Sequence, residues 1–432
     1  VAHCPFVLPD PDGEPVPDTY ARLREAGPVV PVELPGGVAA WAVASHATAR
    51  EVFGGDNRRF SKHPRNWPAL HDGTVPADWS LRPLIAGDNL LMKDGAEHRR
   101  LRGLLAQAFT PARVETLRPR VERIVADLLD AVEAADGVVD LVPAFTEPLP
   151  MMVICELFGV PEEDRPLLRR HSRVLFSGTH GAQEMAAASA GLLEYLAGLV
   201  EARRAHPRDD LTTALVRAGD QGDRLTPEEL VGTLSVLVIA GHETTEHLLG
   251  RAVVALLDHP GQLRLALAED RWDAVVEETL RRYSPVTGVM FRYPVEPVEI
   301  AGVPLAAGQP LLLGVAGAAT DPAQHGPDAD RFDITREQRG HLAFGHGPHF
   351  CLGAPLARLE ARIALRALFG RLPRLRLAAP SATLPHTRSI LTHGPVTLPV
   401  WPHGHGPATA PTGTAGTSVA AGPGAPDGGP PR

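Results

Sequence analysis

Phe344-Gly345-His346-Gly347-Pro348-His349-Phe350-Cys351-Leu352-Gly353 is a glycine-punctuated loop that ends on a cysteine and a glycine. The residues after it, Ala354 to Leu365, carry apolar positions at helical spacing, with Pro355 in a first turn that tolerates it, so Cys351 sits near a helix N-terminus. Unpaired backbone N–H groups and the positive end of the helix dipole pull a thiol pKa down from about 8.5 there and favour thiolate, the form that binds a metal. Gly345, Gly347 and Gly353 remove side chains where a flat ligand needs close backbone approach, and Phe344 and Phe350 supply apolar cover. Taken alone, a single cysteine is more often a small buried hydrophobe than a ligand.

Three other segments carry chemistry. Ala240-Gly241-His242-Glu243-Thr244-Thr245 lies in a run, Val231 to Leu257, whose first half is almost wholly apolar and whose middle turns polar, a costly break unless it is used. Charged and histidine residues interrupt the run well short of the ~20 apolar residues of a membrane span, so it reads as a buried helix. Its glycine and hydroxyls permit a widened turn and a notch for a small molecule. Read alone, it is a core helix with one polar seam. Glu278-Thr279-Leu280-Arg281 sets opposite charges at i and i+3, a spacing of little specificity by itself. His98 and Arg102, at i and i+4, reach one place and suit a carboxylate; in isolation they are a solvated basic face.

The decapeptide resembles the Phe-Gly-x-Gly-x-His-x-Cys-x-Gly loop of the cytochrome P450 family at every fixed position, and the other three segments resemble that family's acid-alcohol pair, Glu-x-x-Arg helix and His-x-x-x-Arg helix in the family's order. The resemblance runs from about Pro28 to Pro402. It implies a mainly α fold with a minor β portion, one large domain around a buried haem b. By the same resemblance Cys351 is the axial iron ligand, and Thr244 and Glu243 form the catalytic pair. Ala240, Gly241, Phe344 and Gly353 surround the haem, while His98, Arg102, Arg292 and His349 bind its propionates. Glu278 and Arg281 are structural. The expected substrate pocket draws on Trp79, Ile85, Asn89 and Leu90, on Leu175 and Phe176, on Leu237 and Ile239, on Val286, Val289 and Met290, and on Ile390, Leu391 and Thr392.

The implied activity is insertion of one oxygen atom of O2 into a C–H or C=C bond of an apolar small molecule, a polyketide, macrolide, terpenoid or steroid-like secondary metabolite. Two rival classes share the cysteine loop: a haem-thiolate peroxygenase and a non-catalytic haem carrier or gas sensor. The pair Glu243 and Thr244 disfavours both. His242 and His247 look superficially like a zinc His-Glu-x-x-His pair but stand at i and i+5, so they point apart. No phosphate-binding glycine loop follows a strand, so electrons are expected from another protein, a ferredoxin served by a ferredoxin reductase. Arg99, Arg100, Arg358 and Arg362 are the expected docking charges. Ala319-Thr320-Asp321-Pro322 lacks the Asn-Arg common before this Asp-Pro, and His325 replaces a common phenylalanine.

Composition sets the remaining bounds. The 432 residues are 44% hydrophobic and 22% charged, enough for a sizeable core. A net charge of −9 argues against nucleic acid. Three cysteines indicate no disulfide framework, with Cys155 in an apolar segment. No signal or anchor pattern is evident, so a cytoplasmic monomer without membrane attachment is expected. Residues 1–27 read as an N-terminal extension, 28–402 as the catalytic domain and 403–432 as a disordered Gly/Pro/Ala-rich tail. Arginine in place of nearly all lysine, with abundant alanine, glycine and proline, suggests a high-GC bacterium.

Overall fold

Thr226 starts the longest helix among the described residues, Pro227–Asp258, by a reciprocal cap: its hydroxyl accepts from the Glu229 N–H and the Glu229 carboxylate accepts from the Thr226 N–H, both at 3.1 Å. Pro227 at the first position needs no N–H partner. The computed structural model describes residue 8 and residues 16–404, apart from 56–57, 86–88, 107–108, 177–180, 221–224 and 338–339. The expected C-terminal tail, beyond residue 404, lies outside the described residues.

Leu234, Val238, Leu248, Leu249, Ala252, Val253 and Leu256 are almost fully buried on this central helix. Each such side chain contributes about 1.5–3 kcal/mol on burial. Around it pack the helices Pro148–Phe158, Ala182–Ala205, Trp272–Arg282 and Ala354–Arg371, the last of these beginning at the cysteine. The widened turn expected in the middle does not form. Pro227–Asp258 is α-helical throughout, and the Thr244 hydroxyl donates back to Ala240 O at 2.7 Å, so it is satisfied within the helix. A π-helical turn occurs instead at Val142–Thr146.

The minor β portion is a five-stranded sheet in the order Val29–Leu34, Val38–Val43, Leu311–Gly314, Gly288–Pro294, Phe60–Ser61. Val38–Val43 and Leu311–Gly314 run parallel with Trp41 opposite Leu311; the other pairs are antiparallel. The register slips between Val289 and Arg292, and such an irregularity re-aims side chains. The helix Val16–Ala26 lies within residues 1–27, yet its Tyr20 and Leu23 are fully buried against the sheet layer. Gln183–Ala205 is long and apolar enough to cross a membrane by length and composition alone; here it packs on Arg165–Phe176, Leu211–Asp220 and the central helix.

Candidate cofactor site

Two left-handed glycines shape the cysteine loop, Gly345 at φ +70° and Gly347 at φ +74°. A Cβ on Gly347 would stand 2.8 Å from Gly54 Cα and Phe53 O, so this glycine serves the contact with the helix His46–Gly54, a different reason from the ligand approach read in the sequence. The Cys351 N–H donates to Phe344 O at 2.9 Å and closes the loop just before the helix Ala354–Arg371, whose N-cap is Gly353. Cys351 is solvent-accessible, yet it lies deep enough that burial raises its pKa. The N–H groups of Gly353 and Ala354 and the guanidinium groups of Arg102 and Arg358 oppose that rise without reversing it. The sequence expectation of a lowered pKa is thereby corrected: for the protein alone, removal from water outweighs the helix terminus. A bound metal ion would settle the thiolate outright. Cys155 is the opposite case, a fully buried thiol with its pKa pushed up to about 12 by burial.

Arg102 donates to Phe350 O at 2.7 Å, which ties the helix Gly95–Ala106 to the cysteine loop. One turn earlier on that helix, His98 lies against His349 with ring centroids 4.0 Å apart. His98 Nε2 and His349 Nε2 are both buried without a hydrogen-bond partner among the described residues. Arg292, delivered by the irregular strand, is buried and reaches only its neighbour's carbonyl, Phe291 O, at 3.4 Å. Lys62 joins them, buried and donating to Met290 O.

These groups repel one another. Burial and then Arg102 depress His98 to about 4, and burial followed by Arg292, His98, Lys62 and Arg102 holds His349 far below the ordinary imidazole range. Burial lowers Arg292 to about 10 and Lys62 well below the usual ammonium range. The opposing carboxylate, Asp94, is already bonded to the Ser61 hydroxyl and the backbone N–H groups of Lys62 and His63. A buried cationic cluster with orphaned donors fits an anionic group with two carboxylates, as a haem carries, so the residues present fit that cofactor. Lys62 was missed in the sequence, although it is one of only two lysines there.

On the central helix Ala240 is exposed and Thr244 half-buried, although the helix runs through the core, so this stretch of it is accessible from solvent. Gly241 turns elsewhere: its Cβ would meet Ile154 Cδ1 at 3.1 Å, and its smallness serves helix packing instead of room above a cofactor. His242 is taken up by Ser172 Oγ at 2.9 Å and Glu147 O at 3.1 Å, while His247 Nε2 lies 3.1 Å from Glu243 Oε1, which separates the two histidines as their spacing requires. Thr392 Oγ1 donates to the same Glu243 oxygen at 3.0 Å, so Thr392 belongs with the acid and not with a substrate wall.

The expected pocket residues divide. Trp79 donates from Nε1 to Pro35 O at 2.7 Å and stacks on Phe291, and Ile85 is buried in the same sheet-layer core with Met290 and Ile390; these four are packing residues. Asn89 caps Leu91 N–H at 3.0 Å, and Leu90 and Leu175 are buried in the helical core. Leu237, Ile239, Val286, Val289 and Leu391 are only half-buried and remain available to line a pocket. The Phe176 side chain lies outside the described residues. Glu278 and Arg281 form a bidentate pair at 2.7 and 2.8 Å with almost no exposure, and Arg281 also donates to Ala319 O, Ala329 O and Arg331 O. Of the expected docking charges, Arg100 pairs with Glu229, Arg358 with Glu277 at 2.5 Å and Arg362 with Asp273 at 3.0 Å, whereas Arg99 is exposed.

Comparison with known proteins agrees with this geometry. Residues 272–378 match the cytochrome P450 family model. The chain is 44% identical to 2-hydroxy-5-methyl-1-naphthoate 7-hydroxylase of Streptomyces carzinostaticus, over 92% of this chain and 97% of that protein. It is 41% identical to 6-deoxyerythronolide B hydroxylase of Saccharopolyspora erythraea, over 88% and 95% of the two chains. The solved structure of CYP154C4 from a Streptomyces species superposes with a TM-score of 0.87 at 42% identity, covering 91% of this chain and 97% of that one.

Proposed function

The chain belongs to the cytochrome P450 family, and from that premise we propose that it is a haem-thiolate monooxygenase, with Cys351 as iron ligand, acting on an apolar secondary metabolite. The observation that carries the assignment of the site is the pairing of an accessible thiol at a helix N-terminus with a buried cluster of Arg292, Lys62 and two imidazoles whose Nε2 atoms have no partner among the described residues. Haem b, when bound, supplies O2 reduction and transfer of one oxygen atom to a C–H or C=C bond, the other leaving as water.

The chain's own residues do the rest. Cys351 Sγ holds the iron, and Phe344, Phe350 and Gly353 shape its surroundings. Arg102, Arg292, His98 and His349, with Lys62, hold the two carboxylates by charge-assisted hydrogen bonds. Ala240, small and exposed on the central helix, would leave room for substrate. Thr244 holds a proton at Oγ1, which it now shares with Ala240 O, and Glu243 holds or releases one at its carboxylate beside Thr392. Leu237, Ile239, Val286, Val289 and Leu391 orient the substrate and exclude water. Two relatives of similar length act, by their names, on a naphthoate and a macrolide aglycone precursor; an apolar polyketide-like substrate is the class to test first. Electrons come from a ferredoxin reduced by its reductase, with Arg99 the best docking charge, since acids partner Arg100, Arg358 and Arg362.

The test is spectroscopic. The reduced, haem-loaded protein under carbon monoxide is expected to give the strongly red-shifted Soret band of thiolate ligation; Cys351→Ala abolishes it and Cys155→Ala retains it. A red-shifted band in the Cys351→Ala protein would overturn the ligand assignment. Apolar polyketides are then screened for a substrate-induced Soret shift.

A further inference from the structure

Glu243, His247 and Arg251 stand at i, i+4 and i+8, so three polar side chains form one stripe along the buried part of the central helix. Glu243 at the start of the stripe is buried, with His247 and Thr392 on one carboxylate oxygen, and directly precedes Thr244 in the chain. Arg251 at its end lines a small pocket with Ser284, Thr287, Thr320 and His393, whose rim residue Thr320 is partly exposed. His393 lies near enough to both His247 and Arg251 to feel their charge. His247 Nε2 is 3.1 Å from Glu243 Oε1, and His393 stacks on His386 at 4.7 Å. Among the described residues, Glu243 Oε2, His247 Nδ1, Thr287 Oγ1 and His393 Nδ1 are all buried without a partner.

Four orphaned polar atoms along one seam are costly unless ordered water satisfies them. Nothing in the packing alone calls for them. A Cβ on Gly394 would stand 2.3 Å from His247 Nδ1, so the imidazole occupies its place because residue 394 is glycine. The charged and titratable groups around the seam are Glu243, Glu246, His247 and Arg251 on the central helix, His386 and His393 on the C-terminal segment, and Tyr283 and Arg282 after the helix Trp272–Arg282.

We propose that His247 and His393, joined by water, form a proton relay from the Arg251–Thr320 pocket to the Glu243 carboxylate; this rests on the reading of Glu243 as the proton-holding acid. Burial followed by Arg251 depresses His393 to about 3, so it is neutral at working pH and can both accept and donate. The balance is simple. A solvent proton passed through water to His247 Nδ1 is matched by release of the Nε2 proton to Glu243 Oε1, Glu243 yields its own proton from the carboxylate, and water-mediated transfer of the ring proton from Nδ1 back to Nε2 restores the starting tautomer. Each proton consumed is replaced from solvent.

Two readouts decide the matter. A high-resolution crystal structure of the haem-loaded enzyme is expected to place ordered water within hydrogen-bond distance of His247 Nδ1, Thr287 Oγ1 and His393 Nδ1; a dry seam would overturn the relay. Turnover with a ferredoxin couple is then compared for Glu243→Gln, His247→Gln, His247→Phe and His393→Leu. Glutamine at 247 keeps a donor for Glu243 yet has no second basic nitrogen. His247→Gln and His393→Leu are each expected to slow turnover by about tenfold or more and to enlarge the solvent deuterium effect. The carbonyl Soret band and the substrate-induced shift, unchanged, certify folding. If His247→Gln matches wild type while His247→Phe fails, His247 merely positions Glu243 and the relay is refuted. Wild-type behaviour in Glu243→Gln would instead remove the reading of the acid itself.

Discussion

His98 and His349 face each other with ring centroids 4.0 Å apart, and each keeps a buried Nε2 with no partner among the described residues. The two come from segments far apart in sequence, one from a helix near the front and one from the cysteine loop. Their contact makes a site for negative charge.

Acid should therefore discriminate between the haem-free and haem-loaded protein. Burial and Arg102 depress His98 from 6.5 to about 4, so the folded haem-free chain resists protonation that the unfolded chain accepts. Stability from the neutral ring is present above pH 6.5 and lost as pH falls from there toward 4. Urea unfolding midpoints at a series of pH values should fall across that window without haem and fall less with it, because the propionates supply the missing counter-charge. Parallel curves would show that the cluster holds no anion.

Arg292→Leu should loosen haem selectively. A hydrogen bond to a charged group contributes about 1.5–3 kcal/mol, which converts to roughly tenfold to hundredfold faster loss. Transfer of haem to an acceptor globin measures it. Arg292→Lys should lie between, since lysine keeps the charge and loses the planar fork.

Arg281→Leu should be the most damaging single change away from the haem. It leaves the unexposed Glu278 with the Asp333 N–H at 2.8 Å and Arg336 at 3.6 Å in place of its bidentate partner, and removes the donors to Ala319 O, Ala329 O and Arg331 O. Breaking a buried pair costs about 3–5 kcal/mol. Denaturant midpoints of the loaded enzyme give the value, and a loss below 1 kcal/mol would mean that water enters to replace the arginine.

Thr244→Ala should keep haem and substrate binding but waste reducing equivalents as peroxide. Its hydroxyl returns to Ala240 O within the helix and so is held at the accessible stretch beside Ala240. Product formed per electron pair is the measurement, and unchanged coupling would remove the role assigned to this residue.

Much of this site could be read from the chain because its chemistry is local. Cys351 is tied to its helix by adjacent residues, His98 and Arg102 by a four-residue spacing, and Glu278 and Arg281 by a three-residue spacing. Where partners come from distant segments the signal fades. Lys62 reaches the cluster because the strand just before it, Phe60–Ser61, pairs with Gly288–Pro294, and nothing near it in the chain marks it. Trp79 resembles a pocket wall until Pro35 and Phe291 enclose it. The smallness of Gly241 invites a functional reading, whereas Ile154 on a separate helix explains it. The raised pKa of Cys351 follows from the removal of its surroundings from water by distant segments, which no short motif encodes.

Gly347 rests on the backbone of Phe53 and Gly54, so the cysteine loop takes its left-handed path only where the N-terminal part of the chain already stands. During synthesis the helix His46–Gly54 leaves the ribosome early and the loop leaves it late. With Cys351 as the proposed iron ligand, capture would be postponed until the loop has been made, and a chain terminated before it, lacking the thiol, would not sequester the pigment.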